Sequence, residues 1–126
     1  MRHTFIALLL FASFQAMAAT PAELLAGYTV QAGQAANIGK GEAFFKASHG
    51  QEWQCTSCHG KSPMTGGRHA STDKAIEPLA PAANVKRFTD SAKAEKWFRR
   101  NCKDVLAREC TAAEKADVLA WLISLR

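Results

Sequence analysis

The chain has 126 residues, 48% of them hydrophobic, and a formal charge of +5 at neutral pH. That length holds one domain. The positive surplus is mild and accompanies no nucleic-acid-binding motif, which argues against a nucleic-acid role.

The first segment has the make-up of an export signal. Arg2 and His3 give a basic start, Phe5 to Phe14 a mostly apolar run, and Ala16-Met17-Ala18 an A-x-A cleavage site. The run is short for a membrane span. The expected organisation is a signal peptide over 1–18 and one mature domain over 19–126, delivered to the periplasm. Loss of Arg2 takes the 16 basic side chains to 15 against 11 acidic ones, or about +4.

Thr20-Pro21-Ala22-Glu23 reads as a helix start, with a capping threonine, proline in the first turn and glutamate closing a capping box. Gly27 is expected to end this piece, leaving Tyr28 to Ala36 as a surface connector. Asn37 caps a second helix running to about Ser48, with Gly41, Phe44, Phe45 and Ser48 on one face. Glycine there either admits the close approach of another helix or is simply tolerated.

Cys55-Thr56-Ser57-Cys58-His59 follows, a C-x-x-C-H run. Two thiols and one imidazole on a single loop suit covalent attachment to one flat cofactor, a c-type haem, with His59 placed to ligate its iron. His59 is expected to use one ring nitrogen for iron and to donate from the other to a backbone carbonyl. A zinc site would need four ligands at tetrahedral spacing. Export agrees with haem attachment, and it also favours disulfides. Of four cysteines, two belong to this motif, so Cys102 and Cys110 are expected to pair.

After His59, the residues Gly60, Pro63, Gly66, Gly67, Pro78 and Pro81 interrupt any regular pattern, and no strand is expected. Asp90 caps a helix over about Ser91 to Arg100, in which Ala94, Trp97, Phe98 and Asn101 fall on one stripe. Thr111-Ala112-Ala113-Glu114 is a second capping box, opening a last helix to about Leu125 with Val118, Trp121, Leu122 and Leu125 on one face. The predicted fold is all-α, four to five short helices around one covalently attached haem.

The second axial position is the open question. Methionine is the common sixth ligand of electron-carrying cytochromes c. Met1 and Met17 leave with the signal, and Met64 lies five residues after His59, too close to reach the opposite haem face. His49 stands too near the haem motif, on the proximal side, and a lysine would first have to lose a proton, which leaves two candidates. His69 would make a bis-His electron carrier. Asn101 would continue the inward stripe, or instead act only as a helix cap. No distal His/Arg pair stands at a spacing that suits peroxide chemistry.

A resemblance bears on this choice. Ile76-Glu77-Pro78-Leu79-Ala80-Pro81, Asn84, Lys86-Arg87-Phe88-Thr89-Asp90, Lys96-Trp97-Phe98-Arg99-Arg100-Asn101-Cys102, Glu109-Cys110-Thr111 and the stretch Ala116 to Leu125 are similar to the sphaeroides haem protein family. These are small high-spin class I cytochromes c. The resemblance implies haem c held by Cys55 and Cys58, with iron between His59 and Asn101. In that family the asparagine sits beside a disulfide, leaves on reduction, and opens ferrous iron to oxygen and nitric oxide. The resemblance also implies two electron partners, a dihaem cytochrome c and a membrane b-type cytochrome. Lys86, Arg87, Arg99 and Arg100 flank the expected haem edge. They form a solvated basic surface, a docking surface, or a counter-charge for the haem propionates.

Overall fold

Short polar side chains set where the long helices begin. The computed structural model describes residues 18–126, so the expected leader lies, but for its last residue, outside the described residues. Thr20 Oγ1 accepts from the Glu23 N–H, and the Glu23 carboxylate accepts from the Thr20 N–H at 2.7 Å, closing the capping box of α1 (Pro21–Ala32). Asn37 Oδ1 accepts from the Lys40 N–H at 2.9 Å and opens α2 (Ile38–Lys46). The haem motif forms one short turn of helix, α3 (Cys55–His59). Asp90 caps α4 (Ser91–Leu106) through the Lys93 N–H, and the Thr111–Glu114 box opens α5 (Ala112–Ser124).

Three expectations need correction. Gly27 does not end α1. The helix runs through it to Ala32 and stops at Gly33, whose φ of 65 supplies the left-handed cap. Tyr28 is therefore a core residue, 1% exposed, with its ring edge-on to Phe98 at 5.7 Å. Next, α4 does not stop at Arg100 but continues through Asn101 and Cys102 to Leu106, so Asn101 is not a terminal cap. Lastly, the loop after His59 contains a two-residue antiparallel pair, β1 (Gly67–Arg68) with β2 (Ala75–Ile76), in the register Gly67–Ile76 and Arg68–Ala75.

Both N-terminal helices pack on α5. Leu24 and Tyr28 of α1 meet Ala116 and Leu119 of α5, with Ala94 of α4 in the same cluster. Phe45 of α2 meets Val118, Trp121 and Leu122. The α2–α5 crossing is very close. A Cβ on Gly41 would lie 1.9 Å from the Asp117 carbonyl oxygen, so only glycine fits. Asp117 is itself buried, and its carboxylate accepts from the Asn37 N–H at 2.6 Å, tying the head of α2 to α5. Helix α4 is held by its buried Ala94, Cys102 and Val105, by the Glu95–Lys115 ion pair at 2.8 Å, and by the expected Cys102–Cys110 disulfide.

Candidate haem site

His59 owes its position to the end of α3. Gly60 takes a φ of 71 and donates its N–H to the Thr56 carbonyl, which closes the turn directly after the histidine. The His59 ring lies 6.1 Å from that of Phe45, which in turn rests on Trp121 at 5.0 Å. The α2–α5 crossing therefore backs the imidazole. Burial, and then the positive charge of Arg87, push the His59 pKa down to about 4. The ring is neutral at physiological pH, the form that binds a metal. The expected donation from His59 to a backbone carbonyl is not formed: Nδ1 is buried with no hydrogen-bond partner among the described residues.

The two motif cysteines are free thiols that do not pair with each other. In the chain before haem attachment, burial pushes the Cys55 thiol up to about 11, which keeps it protonated. Cys55 packs against the Phe45–Trp121 cluster. Cys58 Sγ accepts from the Ala70 N–H at 3.3 Å. Gly67 is pressed on the same helix, where a Cβ would come within 2.0 Å of the Cys58 carbonyl oxygen. Among the described residues no group of three or more His, Cys, Asp or Glu side chains is arranged to hold a metal ion. Two free thiols and a buried, unpartnered imidazole suit haem c.

The segment between α3 and α4 folds on itself. Pro63 is buried, and its two hydrogen bonds fix the strap carrying Leu79 and Ala80. Arg87 clamps the same strap, donating from Nε to the Pro78 carbonyl at 2.8 Å and from Nη2 to the Glu77 carbonyl at 2.7 Å. Asn84 Nδ2 donates to the Glu77 carboxylate at 3.1 Å. Phe88 then adopts a φ of 59, rare for an aromatic residue, and inserts against both core clusters.

Asn101 lies in the middle of α4 with its side chain exposed. The expected single stripe is split: Ala94 and Phe98 pack on the core, whereas Trp97 and Asn101 lie on the flank and are exposed. A helix turns about 100° per residue, so a stripe at i, i+3, i+4 and i+7 is wide enough to divide between core and flank. Phe98, one turn before Asn101 on α4, packs against the same Phe45–Trp121 cluster as Cys55, Leu79 and Phe88. That apolar wall links the attachment turn to the part of α4 bearing Asn101. Next to Asn101, Cys102 is buried and pinned to Cys110.

The other candidate donors are placed differently. His69 Nδ1 accepts from the Ser71 and Thr72 N–H groups, both at 3.3 Å, and its turn packs on Cys58. His49 bonds the Phe44 carbonyl at 2.9 Å. Met64 sits in the turn around Pro63, just beyond His59. The clamp at Arg87 and the burial of Tyr28 escaped sequence reasoning. A basic residue four positions before a capped helix was the available signal for the first, and nothing local marked the second.

Five helices among the described residues, with a C-x-x-C-H turn backed by the crossed helices α2 and α5, define a small class I cytochrome c. A family model described as a domain of unknown function, DUF1924, matches residues 31–122. The cytochrome c-type protein SHP of Cereibacter sphaeroides is 47% identical over 107 residues, covering 82% of each chain. Its oxidised structure, described as an oxygen-binding cytochrome c, superposes with a TM-score of 0.81 at 46% identity, covering 86% of this chain and 99% of that one. The solution structure of cytochrome c'' from Methylophilus methylotrophus, whose description concerns haem-ligand detachment, gives 0.74 at 35% identity, covering 83% and 93%. The chain belongs to the DUF1924 family and to the family of the cytochrome c-type protein SHP, the sphaeroides haem protein cytochromes. As such it carries haem c, covalently bound, with its iron. No helix among the described residues is long and apolar enough to cross a membrane.

Proposed function

We propose that the protein is an exported monohaem cytochrome c with a redox-labile asparagine ligand, which binds oxygen or nitric oxide in its ferrous state and exchanges electrons with partner cytochromes. When bound, the haem would supply one-electron redox chemistry and an iron able to take a diatomic gas. Cys55 and Cys58 provide the thioether sulfurs, and His59 provides a neutral imidazole on one face. Asn101 provides the other ligand in the oxidised state. Its amide oxygen is a hard, neutral, weak donor that suits ferric better than ferrous iron, so reduction would release it. The released side chain keeps an NH2 group able to donate a hydrogen bond to the gas.

The observation that carries this reading is the position of Asn101. It is an exposed amide on α4, next to a residue pinned by a disulfide and one turn from Phe98, which shares its cluster with Cys55. The similar SHP, described as oxygen-binding, supports the gas. A bis-His carrier through His69 is the alternative, and the packing of that turn on Cys58 weighs against it. The expected electron partners are a dihaem cytochrome c and a membrane b-type cytochrome in the periplasm, reached after cleavage near Ala18. Replacing Asn101 by alanine tests the ligand: the ferric absorption spectrum should change to that of an open or water-bound site, and an unchanged spectrum would refute the assignment.

A further inference from the structure

Helix α4 carries more positive charge than its own stability favours. Lys93, Lys96, Arg100 and Lys103 follow one another at i, i+3, i+7 and i+10, and all four are exposed. At about 100° per residue they fall in one sector less than about a quarter-turn wide, along about 15 Å of helix. The sector faces away from the buried Ala94, Cys102 and Val105. Among the described residues none of the four makes an ion pair. Of the two acids of the same helix, Glu95 is committed to Lys115 and Asp104, exposed beside Lys103, makes no ion pair, while the neighbouring Arg99 pairs with Glu109 at 3.5 Å.

Neither helix stability nor membrane binding accounts for the row. Like charges three and four residues apart repel. Lys93, in the first turn, opposes the positive end of the helix dipole, and only Lys103 is favourably placed near the other end. A membrane-surface helix would need a free apolar face. The apolar residues of α4 instead pack in the core, where Ala94 and Phe98 meet Leu24, Tyr28 and Leu119.

We propose that this outward face of α4 docks an acidic redox protein, an inference that rests on the electron-exchange reading above. A row of carboxylates opposite would neutralise the repulsion and steer encounter. The face is continuous with the proposed ligand. Around the helix, Trp97 stands between the basic row and Asn101, and the Arg100 guanidinium lies over the Trp97 ring at 5.2 Å. A partner seated on the row would sit beside the helix flank that bears the sixth ligand.

The test uses the haem-loaded protein and an acidic flavodoxin, in its hydroquinone form, as the probe. Reduction is followed by stopped flow between about 0.01 and about 0.15 M ionic strength, over which the Debye length shortens from about 30 to about 8 Å. The Lys96→Glu/Lys103→Glu variant should lose at least about tenfold in rate at low salt and lose most of its salt dependence. The Lys40→Glu/Lys74→Glu variant makes the same change in net charge elsewhere and should lose less than about threefold. Lys93→Glu/Lys96→Glu serves if the first pair disturbs the haem spectrum. Equal loss in the row and control variants would overturn the proposal, because net charge alone would then act. It would also be overturned if the row variant were reduced at the wild-type rate yet lost co-sedimentation with phosphatidylglycerol vesicles, which would assign the row to a membrane. Carbon monoxide uptake, read on the same samples, reports the gas-binding site separately: its failure with the salt-dependent loss intact would refute the gas reading and leave the docking face standing.

Discussion

Substituting Gly41 by alanine perturbs the closest contact in the fold. The new Cβ would stand 1.9 Å from the Asp117 oxygen, 2.4 Å from its carbonyl carbon and 2.8 Å from the Val118 nitrogen. All three are backbone atoms of α5, so no rotamer change relieves the clash. Restoring ordinary contact requires the two helices to part by about 1.5 Å. Overpacking of a core costs about 1–3 kcal/mol. Separation also stretches the buried bond from the Asn37 N–H to the Asp117 carboxylate, worth about 1.5–3 kcal/mol when the acceptor is charged. The combined loss is about 3–5 kcal/mol, which for a domain of this size lowers Tm by more than about 10 °C. Because Phe45 and Trp121 back the His59 ring, the haem spectrum should also lose definition before global unfolding. Thermal unfolding of the haem-loaded variant, followed by far-UV circular dichroism and haem absorption together, measures both effects. A Tm within about 3 °C of wild type would refute the claim that only glycine fits this crossing.

Further outcomes follow from other contacts. Arg108→Ala should lower Tm at neutral pH. The Arg108 guanidinium, then the Thr111 cap, hold the Glu114 carboxyl below its ordinary value of 4.5, so the stabilisation is present above that value and is lost as pH falls through the depressed one. The gap between wild type and variant, measured as Tm against pH, should close on acidification, and a constant gap would contradict the sign. Replacing Cys102 and Cys110 together by serine removes a short closed loop, their separation being 8 residues, at a cost of about 2.5 kcal/mol. Guanidinium titration checks that loss, and no change in midpoint would count against it. His69→Ala should lower stability by about 1 kcal/mol through its turn hydrogen bonds and leave the ferric and ferrous spectra unchanged. Conversion of a low-spin spectrum to a high-spin one would instead make His69 the sixth ligand.

Much of the fold was legible because its signals are local. The caps at Thr20, Asn37, Asp90 and Thr111 each need only a side chain and an N–H three residues on. The α5 face of Val118, Trp121 and Leu122 is a matter of period. The errors fall where the deciding partner is distant. Gly27 resembles a stop, but a glycine ends a helix only by turning left-handed, which Gly33 does. Tyr28 is buried by Phe98 and Lys115, residues far along the chain, and no local pattern foretells that. Asp117 satisfies a backbone N–H 80 residues away, so its burial could not be read from its neighbours.

The candidate site divides in the same way. Cys55, Cys58 and His59 are contiguous, and their spacing alone pointed to haem c. Asn101 stood out through a stripe whose continuation into α4 was underestimated, since nothing at Asn101–Cys102 breaks the helix. The clamp from Arg87 to the Glu77 and Pro78 carbonyls spans a turn whose geometry depends on the left-handed Phe88, and no sequence rule anticipates an aromatic residue there.

The central claim is that reduction frees the sixth position. Its most direct test is the absorption spectrum of the ferrous haem-loaded protein before and after addition of carbon monoxide. A high-spin ferrous spectrum that shifts promptly with the gas is the predicted result. A low-spin ferrous spectrum that carbon monoxide leaves unchanged would contradict the account.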